Sequence, residues 1–91
     1  MIKSYQLIII GRVQGVFYRA SMVEMANVFG VVGFVMNKED GSVYAEIEGE
    51  TEALNKMIDW CNKGPSGAKV EEVKMIEQQA KLFEEFAIWR G

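Results

Sequence analysis

A glycine-containing loop near the N-terminus has residue types that can bind a phosphate group. The loop follows an apolar, strand-like segment, leads into a segment with helical spacing and ends at Arg19. Backbone N–H groups in such a loop can converge on one anion, and the positive end of the helix dipole adds to the attraction. An arginine at its end can close a planar fork of donors over the same anion. We therefore predict a phosphate-binding loop made of Gln14, Gly15, Val16, Phe17, Tyr18 and Arg19.

A simpler interpretation of the same loop needs no ligand. In it, Gly11 and Gly15 only turn the chain, and Arg19 is a solvated residue in the first turn of a helix. Spacing alone favours this interpretation, because two glycines four residues apart form a weak motif. The loop matches neither the complete dinucleotide-binding fingerprint nor the Gly-Lys-Ser/Thr loop of nucleotide hydrolases. The pattern by itself therefore indicates a candidate anion site and nothing more specific.

The composition argues against several other kinds of chemistry and of partner. The sequence contains no histidine, which removes the commonest general base, the commonest metal ligand and every histidine-dependent catalytic triad. A formal net charge of −3 argues against a broad positive surface for nucleic acid or anionic lipid. No carboxylate or thiolate cluster has the spacing of metal ligands. We expect no metal or other cofactor, and neither nucleic acid nor membrane as a partner.

The remaining reactive side chains have structural explanations. Cys61 lies on the apolar stripe of a predicted helix, which is typical of a core thiol rather than a nucleophile. Glu71 and Glu72, like Glu84 and Glu85, are adjacent in strand-like segments and would point to opposite faces, so neither pair suits acid/base catalysis.

A single cysteine cannot form an intrachain disulfide, and the sequence shows no signal peptide and no apolar run of membrane-spanning length. The expected location is the cytoplasm.

Two helical and five strand-like segments would have to position the loop. Apolar residues at helical spacing predict one helix over residues 19–29 and another that begins with Thr51 as its N-cap and ends at Gly64. Apolar alternation and β-branched or aromatic residues predict strands over residues 4–10, 31–37, 42–48, 70–76 and 83–89. Residues 77–81 are predicted to be a polar connection.

The order of these segments is βαββαβ followed by a fifth strand. This order is typical of an α+β ferredoxin-like sandwich, in which both helices pack on one face of a mostly antiparallel sheet. We expect the strand order 4-1-3-2, with the fifth strand added at an edge. A chain of 91 residues with 49% hydrophobic content suits one core, so residues 1–91 are predicted to form a single domain.

The candidate loop and a second block of residues resemble the sequence signature of the acylphosphatase family. Residues 11–19 are similar to the family's Gly-Arg-Val-Gln-Gly-Val run, which is followed by two variable or aromatic residues and an arginine. Residues 30–37 and 40–43 are similar to its Gly-Val-x-Gly-aromatic-Val-x-Asn run and the Asp-Gly-Ser-Val that comes after it. A third match lies between Trp60 and Val73. The resemblance covers nearly the whole chain, apart from residues 1–4 and 77–85.

This resemblance implies roles for two residues. Arg19 is similar to the family's phosphate-binding arginine, and Asn37 to the asparagine that positions the attacking water. Without the resemblance, Asn37 would be interpreted as a strand-end residue that begins a turn. Phe17 and Tyr18 are bulkier or more polar than the small residue and the phenylalanine expected in the family, although neither change removes a backbone donor.

The implied activity is hydrolysis of an acyl phosphate to a carboxylate and inorganic phosphate, without metal or cofactor. A carboxylate is a good leaving group that needs little protonation, so the lack of histidine is no obstacle. Asparagine cannot accept the proton of the attacking water, which would pass to a phosphoryl oxygen of the substrate. Inorganic phosphate would be both product and competitive inhibitor. The chain begins with Met1 and ends just after its last predicted strand, so we expect a free-standing enzyme and a monomer.

Two other functions stay open. Ferredoxin-like sandwiches also serve as noncatalytic modules that bind a small anion or another effector, because a fold does not fix a function. The second alternative is an acylphosphatase-like module that acts within a larger carbamoyl-transfer assembly. The acidic charge and the lack of a basic aromatic strand signature argue against RNA as the ligand.

Overall fold

Seven elements make up the computed structural model, which describes residues 1–90. They are β1 (Ile2–Arg12), α1 (Tyr18–Phe29), β2 (Val32–Asn37), β3 (Val43–Glu50), α2 (Thr51–Lys63), β4 (Lys69–Gln78) and β5 (Phe86–Ile88). The strands form one sheet in the order β4-β1-β3-β2-β5. The predicted ferredoxin-like α+β class, the 4-1-3-2 order and the fifth strand at an edge are confirmed. Within the described residues, no helix is long and apolar enough to cross a membrane.

The sheet is mostly antiparallel and is covered by the two helices. All neighbouring strands are antiparallel except β2 and β5, which are parallel and pair Val35 with Ile88. The two helices pack against each other and against the sheet. Burial of one large apolar side chain stabilises a fold by about 1.5–3 kcal/mol. The core side chains that are fully buried include Leu7, Ile9, Met22, Ala26, Val35, Val43, Ala45, Ile47, Leu54, Met57 and Cys61.

Several predicted boundaries are wrong. Thr51 is the first residue of α2, and Glu50 precedes it in an extended conformation without a side-chain capping hydrogen bond, so Thr51 is not the N-cap. β4 continues to Gln78, although the polar residues from Glu77 onward predicted a connection. These polar side chains belong to an edge strand that pairs only with β1. β5 begins at Phe86, later than predicted.

Residues 79–85, which we call the strap, connect β4 to β5 by way of a polar network on β3. Ala45 and Ile47 of β3 belong to the apolar core, whereas Glu46 and Glu48 alternate with them and accept hydrogen bonds from the strap. The backbone N–H groups of Lys81 and Phe83 donate to the Glu48 carboxylate, at 2.7 and 3.2 Å. These bonds account for the short β5, because the start of the segment predicted as a strand is bound to Glu48.

The Glu46 carboxylate is the most heavily hydrogen-bonded group of this network. It accepts bonds from the Gln78 amide at 2.8 Å and from the Tyr44 hydroxyl at 2.7 Å, and the Lys81 ammonium lies 2.8 Å away. Burial acts to raise the pKa of Glu46, but the hydrogen bonds from Gln78, Lys81 and Tyr44 outweigh it and hold the pKa below its ordinary value. The folded protein therefore binds this proton less readily than the unfolded chain does.

We expect Glu46→Gln to reduce the acid sensitivity of the fold. A carboxyl group with a lowered folded pKa stabilises the protein fully above its ordinary pKa, and this contribution disappears as the pH falls through the folded value. The variant should melt below the wild type at pH 7, and the difference in Tm should shrink as the pH falls from about 5 to about 3. Glu39→Gln, at an exposed turn residue, is the control. A Tm difference for Glu46→Gln that stays constant over this range would contradict the assignment.

Candidate active site

Gly11, near the end of β1, and Gly15, in the candidate loop, are needed for different structural reasons. β1 has an irregularity between Ile10 and Gly11, where its register with β4 shifts. A Cβ atom at Gly11 would lie 2.2 Å from the carbonyl oxygen of Lys69, so only glycine permits this approach of the strands. Gly15 has φ of +74° and no atom within 4 Å of where a Cβ would lie. Gly11 therefore serves the sheet, whereas Gly15 turns the loop beside open space.

The backbone between β1 and α1 leaves a row of unused hydrogen-bond donors. Phe17 precedes α1 in the left-handed conformation, with φ of 64°, and makes no side-chain capping hydrogen bond. The first turn of α1 contains no acidic residue. Within residues 1–90, the backbone N–H groups from Gly15 to Ala20 donate to no protein acceptor. Free donors at a helix N-terminus attract an anion through both hydrogen bonding and the helix dipole.

Two side chains of the same loop attach it to the rest of the protein, one by hydrogen bonds and one by apolar packing. The Gln14 amide donates to the carbonyl oxygens of Lys38 and Ser42, each at 2.8 Å, which ties the loop to the connection between β2 and β3. Val16 packs against the apolar core. These contacts explain why Gln14 and Val16, both predicted members of the phosphate loop, support its shape without lining the cavity beside it.

Tyr18 anchors the other end of the loop. It is the first residue of α1, is only 1% exposed, and donates a hydrogen bond from its hydroxyl to the carbonyl oxygen of Cys61 at 2.7 Å. Its ring lies 5.2 Å from the ring of Trp60. Burial, and then the neighbouring Cys61, raise the pKa of Tyr18 above its ordinary value. This side chain therefore fixes the start of α1 against α2.

The loop borders a cavity of about 330 Å³ that also reaches the sheet. Its lining includes Gly15, Phe17 and Arg19 from the loop and the start of α1, which we call the loop wall, and Asn37, Ile88 and Arg90 from the ends of β2 and β5, which we call the sheet wall. The structure thus brings Arg19 and Asn37 to one cavity, as the resemblance implied. The described lining contains two arginines and no carboxylate. It is a locally positive site in a chain whose net charge is negative.

The Arg19 side chain and the Asn37 Oδ1 atom make no ion pair or hydrogen bond within residues 1–90. Within residues 1–90, Arg19 makes no ion pair and no side-chain hydrogen bond. The Oδ1 atom of Asn37 is buried and has no hydrogen-bond partner in the same part of the chain. An unsatisfied buried acceptor costs about 1–3 kcal/mol, so its presence at a cavity needs an explanation, and a functional group is one.

Arg90 is the charged cavity residue that sequence reasoning missed. In the parallel pairing of β2 and β5, Val35 lies beside Ile88, and the backbone N–H of Trp89 donates to the Val35 carbonyl at 2.9 Å. Arg90 follows Ile88 by two residues as Asn37 follows Val35, so the two reach the same cavity. The sequence contains no local signal for this pairing, because it depends on how two distant strands meet.

Neither Tyr18 nor Cys61 is suited to exchange protons in this cavity near neutral pH. Tyr18, which also lines the cavity, has a raised pKa, as described above. Cys61 does not line the cavity, and burial raises the pKa of its thiol to about 12. This thiol is therefore a protonated core group, as predicted, rather than a nucleophile. Within residues 1–90, no set of three or more cysteine and carboxylate side chains is arranged to hold a metal ion.

A family model, a curated relative and a solved structure carry the same family name. The sequence model of a family described as acylphosphatase matches residues 5–88. An acylphosphatase of Albidiferax ferrireducens is 47% identical over 76 residues, which cover 84% of this chain and 83% of that protein. The crystal structure of an acylphosphatase from Bacillus subtilis superimposes with a TM-score of 0.93 at 30% identity, covering 98% of this chain and 99% of that one. The chain is also similar to part of full-length HypF, with a TM-score of 0.86 and 27% identity, covering 98% of this chain but 12% of that one.

Proposed function

The chain belongs to the acylphosphatase family, enzymes that hydrolyse acyl phosphates, and we propose that it does so by in-line attack of water on a phosphoryl group bound at the loop wall. The observation that carries this mechanism is the shared cavity of Arg19, Asn37 and the free N–H groups that follow Gly15. A noncatalytic anion-binding module would need the donors but gives no reason for an asparagine in the same cavity whose Oδ1 atom has no hydrogen-bond partner. The catalytic mechanism uses both.

The phosphoryl oxygens are bound by the backbone N–H groups of the loop and by the Arg19 guanidinium. Phosphoryl transfer passes through a transition state in which negative charge spreads over these oxygens, and fixed donors stabilise that charge. Arg90 adds a second positive charge to the cavity. The described lining contains no carboxylate whose negative charge would repel the dianionic phosphoryl group.

Asn37 holds the attacking water on the sheet wall. The water oxygen forms a bond to phosphorus as the bond between phosphorus and the acyl oxygen breaks, and the carboxylate leaves with that electron pair. Asparagine cannot take up a proton, so the proton of the water passes to a phosphoryl oxygen. The products are a carboxylate and inorganic phosphate, and no metal takes part.

Benzoyl phosphate and acetyl phosphate test the activity directly. We expect hydrolysis of both by the purified chain with chelator present and without added metal, followed by release of inorganic phosphate. The Arg19→Ala variant is the matched control for contaminating activity. Failure of folded wild-type protein to hydrolyse either compound would favour the binding-module alternative. Turnover only after addition of a divalent metal would contradict the metal-independent mechanism.

The mechanism predicts a flat pH profile across neutrality. A bell-shaped profile reports an essential acid and base with pKa values near its limbs. The sequence has no histidine, the Cys61 pKa is raised to about 12, and the Tyr18 pKa is also raised. We expect kcat at saturating substrate to vary little between about pH 5.5 and 8, since unperturbed carboxyl groups titrate near 4. A steep inflection in this range, with folding verified and product inhibition excluded, would require a titrating catalytic group.

Inhibition by phosphate, the single domain, the monomeric state and the cytoplasmic location stay predictions. Inorganic phosphate should compete with substrate, because its oxygens fit the same donors as the phosphoryl group. Residues 1–91 are proposed to act as one domain and as a monomer in the cytoplasm. The same fold occurs in HypF as a small part of a much longer chain. This similarity is consistent with the alternative of a module that acts within a larger assembly.

A further inference from the structure

We propose that Gln14 is a positioning residue for catalysis, because its side chain fixes the place of Asn37 relative to the phosphate-binding loop. The inference rests on the proposed function and adds to it a residue that does not line the cavity. The hydrogen bonds of the Gln14 amide carry it, together with the contacts that hold each half of the site separately.

The Gln14 amide bridges the two ends of the turn between β2 and β3. A glutamine amide has two N–H donors, and those of Gln14 bind the carbonyl oxygens of Lys38 and Ser42, each at 2.8 Å. Asn37 is the last residue of β2 and pairs with Val43, the first residue of β3. The two carbonyl groups therefore belong to the residues that directly follow Asn37 and directly precede its partner.

Each half of the site also has contacts of its own. In the loop, Val16 packs against the apolar core, and the Tyr18 hydroxyl donates to the carbonyl oxygen of Cys61. In the turn, the Asp40 carboxylate accepts hydrogen bonds from the backbone N–H of Ser42 at 2.9 Å and from its hydroxyl at 2.6 Å. These contacts maintain the shape of the loop and of the turn without joining one to the other.

Within residues 1–90, the bonds of Gln14 are the hydrogen bonds that join the loop to the turn. The pairing of β1 with β3 ends at Ile9 and Val43, and the rest of β1 pairs only with β4. The sheet ladder therefore stops before the loop begins. Beyond that point, Gln14 sets where Asn37 lies relative to the N–H groups that bind the phosphoryl oxygens.

In-line attack depends on this relative placement. The water oxygen and phosphorus must lie about 3–3.5 Å apart with their orbitals aligned, and a displacement of about 1 Å can cost about 10² in rate. Inorganic phosphate has no such requirement, because the loop donors and Arg19 bind it whether or not a water is in line. Loss of the Gln14 bonds should therefore impair the chemical step far more than phosphate binding.

Gln14→Met tests this separation, because methionine has a similar length and no N–H donor. With benzoyl phosphate, kcat at saturating substrate should fall by about ten- to a hundredfold, while the inhibition constant of inorganic phosphate should change by less than about twofold. Gln6→Met is the matched control. Gln6 is also a half-buried glutamine, its amide donates to Gln78 on another strand at 2.9 Å, and it does not line the cavity. The control should keep the wild-type kcat, with folding of both variants verified by their Tm.

A double-mutant cycle with Asn37→Ala supplies a second readout. The asparagine side chain that Gln14 positions is missing from that variant. Addition of Gln14→Met to Asn37→Ala should therefore lower kcat by less than about threefold, because residues that act as one unit are not additive. Losses that multiply in the double variant would show that the two residues act independently, which would overturn the inference.

The outcomes separate this inference from the function on which it rests. If folded wild-type protein hydrolyses neither benzoyl phosphate nor acetyl phosphate, the proposed function fails. If it is active and Gln14→Met keeps the wild-type kcat, the proposed role of Gln14 is wrong while the function stands. Parallel losses of kcat and phosphate affinity would assign Gln14 to the shape of the loop instead. A Gln6→Met variant as slow as Gln14→Met would also overturn the assignment, since a general loosening of the fold would then explain both.

Discussion

Arg19→Ala is expected to lower kcat/KM for benzoyl phosphate by about a thousandfold. Loss of one transition-state donor costs about 10² to 10³ in rate, and an arginine that stabilises a transferring phosphoryl group contributes about 10³ or more. The free N–H groups of the loop remain in the variant, which accounts for the residual activity. The fold should survive, because Arg19 makes no ion pair or side-chain hydrogen bond within residues 1–90 and alanine favours a helix.

Arg19→Lys separates charge from geometry. Lysine keeps the positive charge but lacks the planar fork that binds two oxygens at once, so its activity should lie closer to alanine than to wild type. Phosphate binding supplies an independent readout, because inorganic phosphate should raise the Tm of the wild type and do so much less in either variant. A lysine variant within a few-fold of wild-type activity would show that Arg19 does not clamp the phosphoryl group.

The architecture could be predicted because apolar periodicity reports which face of each segment is buried. The alternation of Val43, Ala45 and Ile47 with polar residues defined β3, and the spacing of Leu54 and Met57 defined α2. Boundaries were less predictable where polar side chains take part in tertiary bonds. The strap is an example, since its hydrogen bonds to Glu48 come from backbone N–H groups, which leave no pattern in the sequence.

The site was partly predictable for a related reason. The loop and Arg19 are local in sequence, so residue types and order were enough to nominate them. Asn37 needed the family resemblance, because an asparagine at a strand end usually begins a turn. Arg90 left no signal, since its place depends on the parallel pairing of β5 with β2. Tyr18 belongs to the predicted loop, but its buried side chain anchors the loop to α2.

Asn37→Ala should reduce kcat by about a hundredfold while the affinity for inorganic phosphate changes little. The variant loses the group that holds water in line, and misplacement of a reactant by about 1 Å can cost about 10² in rate. The loop donors and Arg19 remain, so the phosphate site is intact. A residue whose loss lowers kcat and leaves ground-state binding alone acts in the transition state.

In Asn37→Ala, the Tm should not fall together with kcat. The Oδ1 atom of Asn37 is buried without a partner in the described part of the chain, and its removal abolishes an unsatisfied acceptor. We therefore expect the Tm of Asn37→Ala to equal or exceed that of the wild type. This result is typical of a residue that serves activity and lowers the stability of the fold. A structural asparagine would behave in the opposite way, with a lower Tm and a proportionate loss of activity.

Measured together, kcat, phosphate affinity and Tm distinguish three roles for Asn37. Low kcat with unchanged phosphate affinity and an unchanged or raised Tm supports water positioning. Equal losses of kcat and phosphate affinity at unchanged Tm would make Asn37 a phosphate ligand, and the attacking water would then need another holder, for which Arg90 on the same sheet wall would be the first candidate. A lowered Tm with losses in both other quantities would make it structural, because the end of β2 would then depend on its side chain.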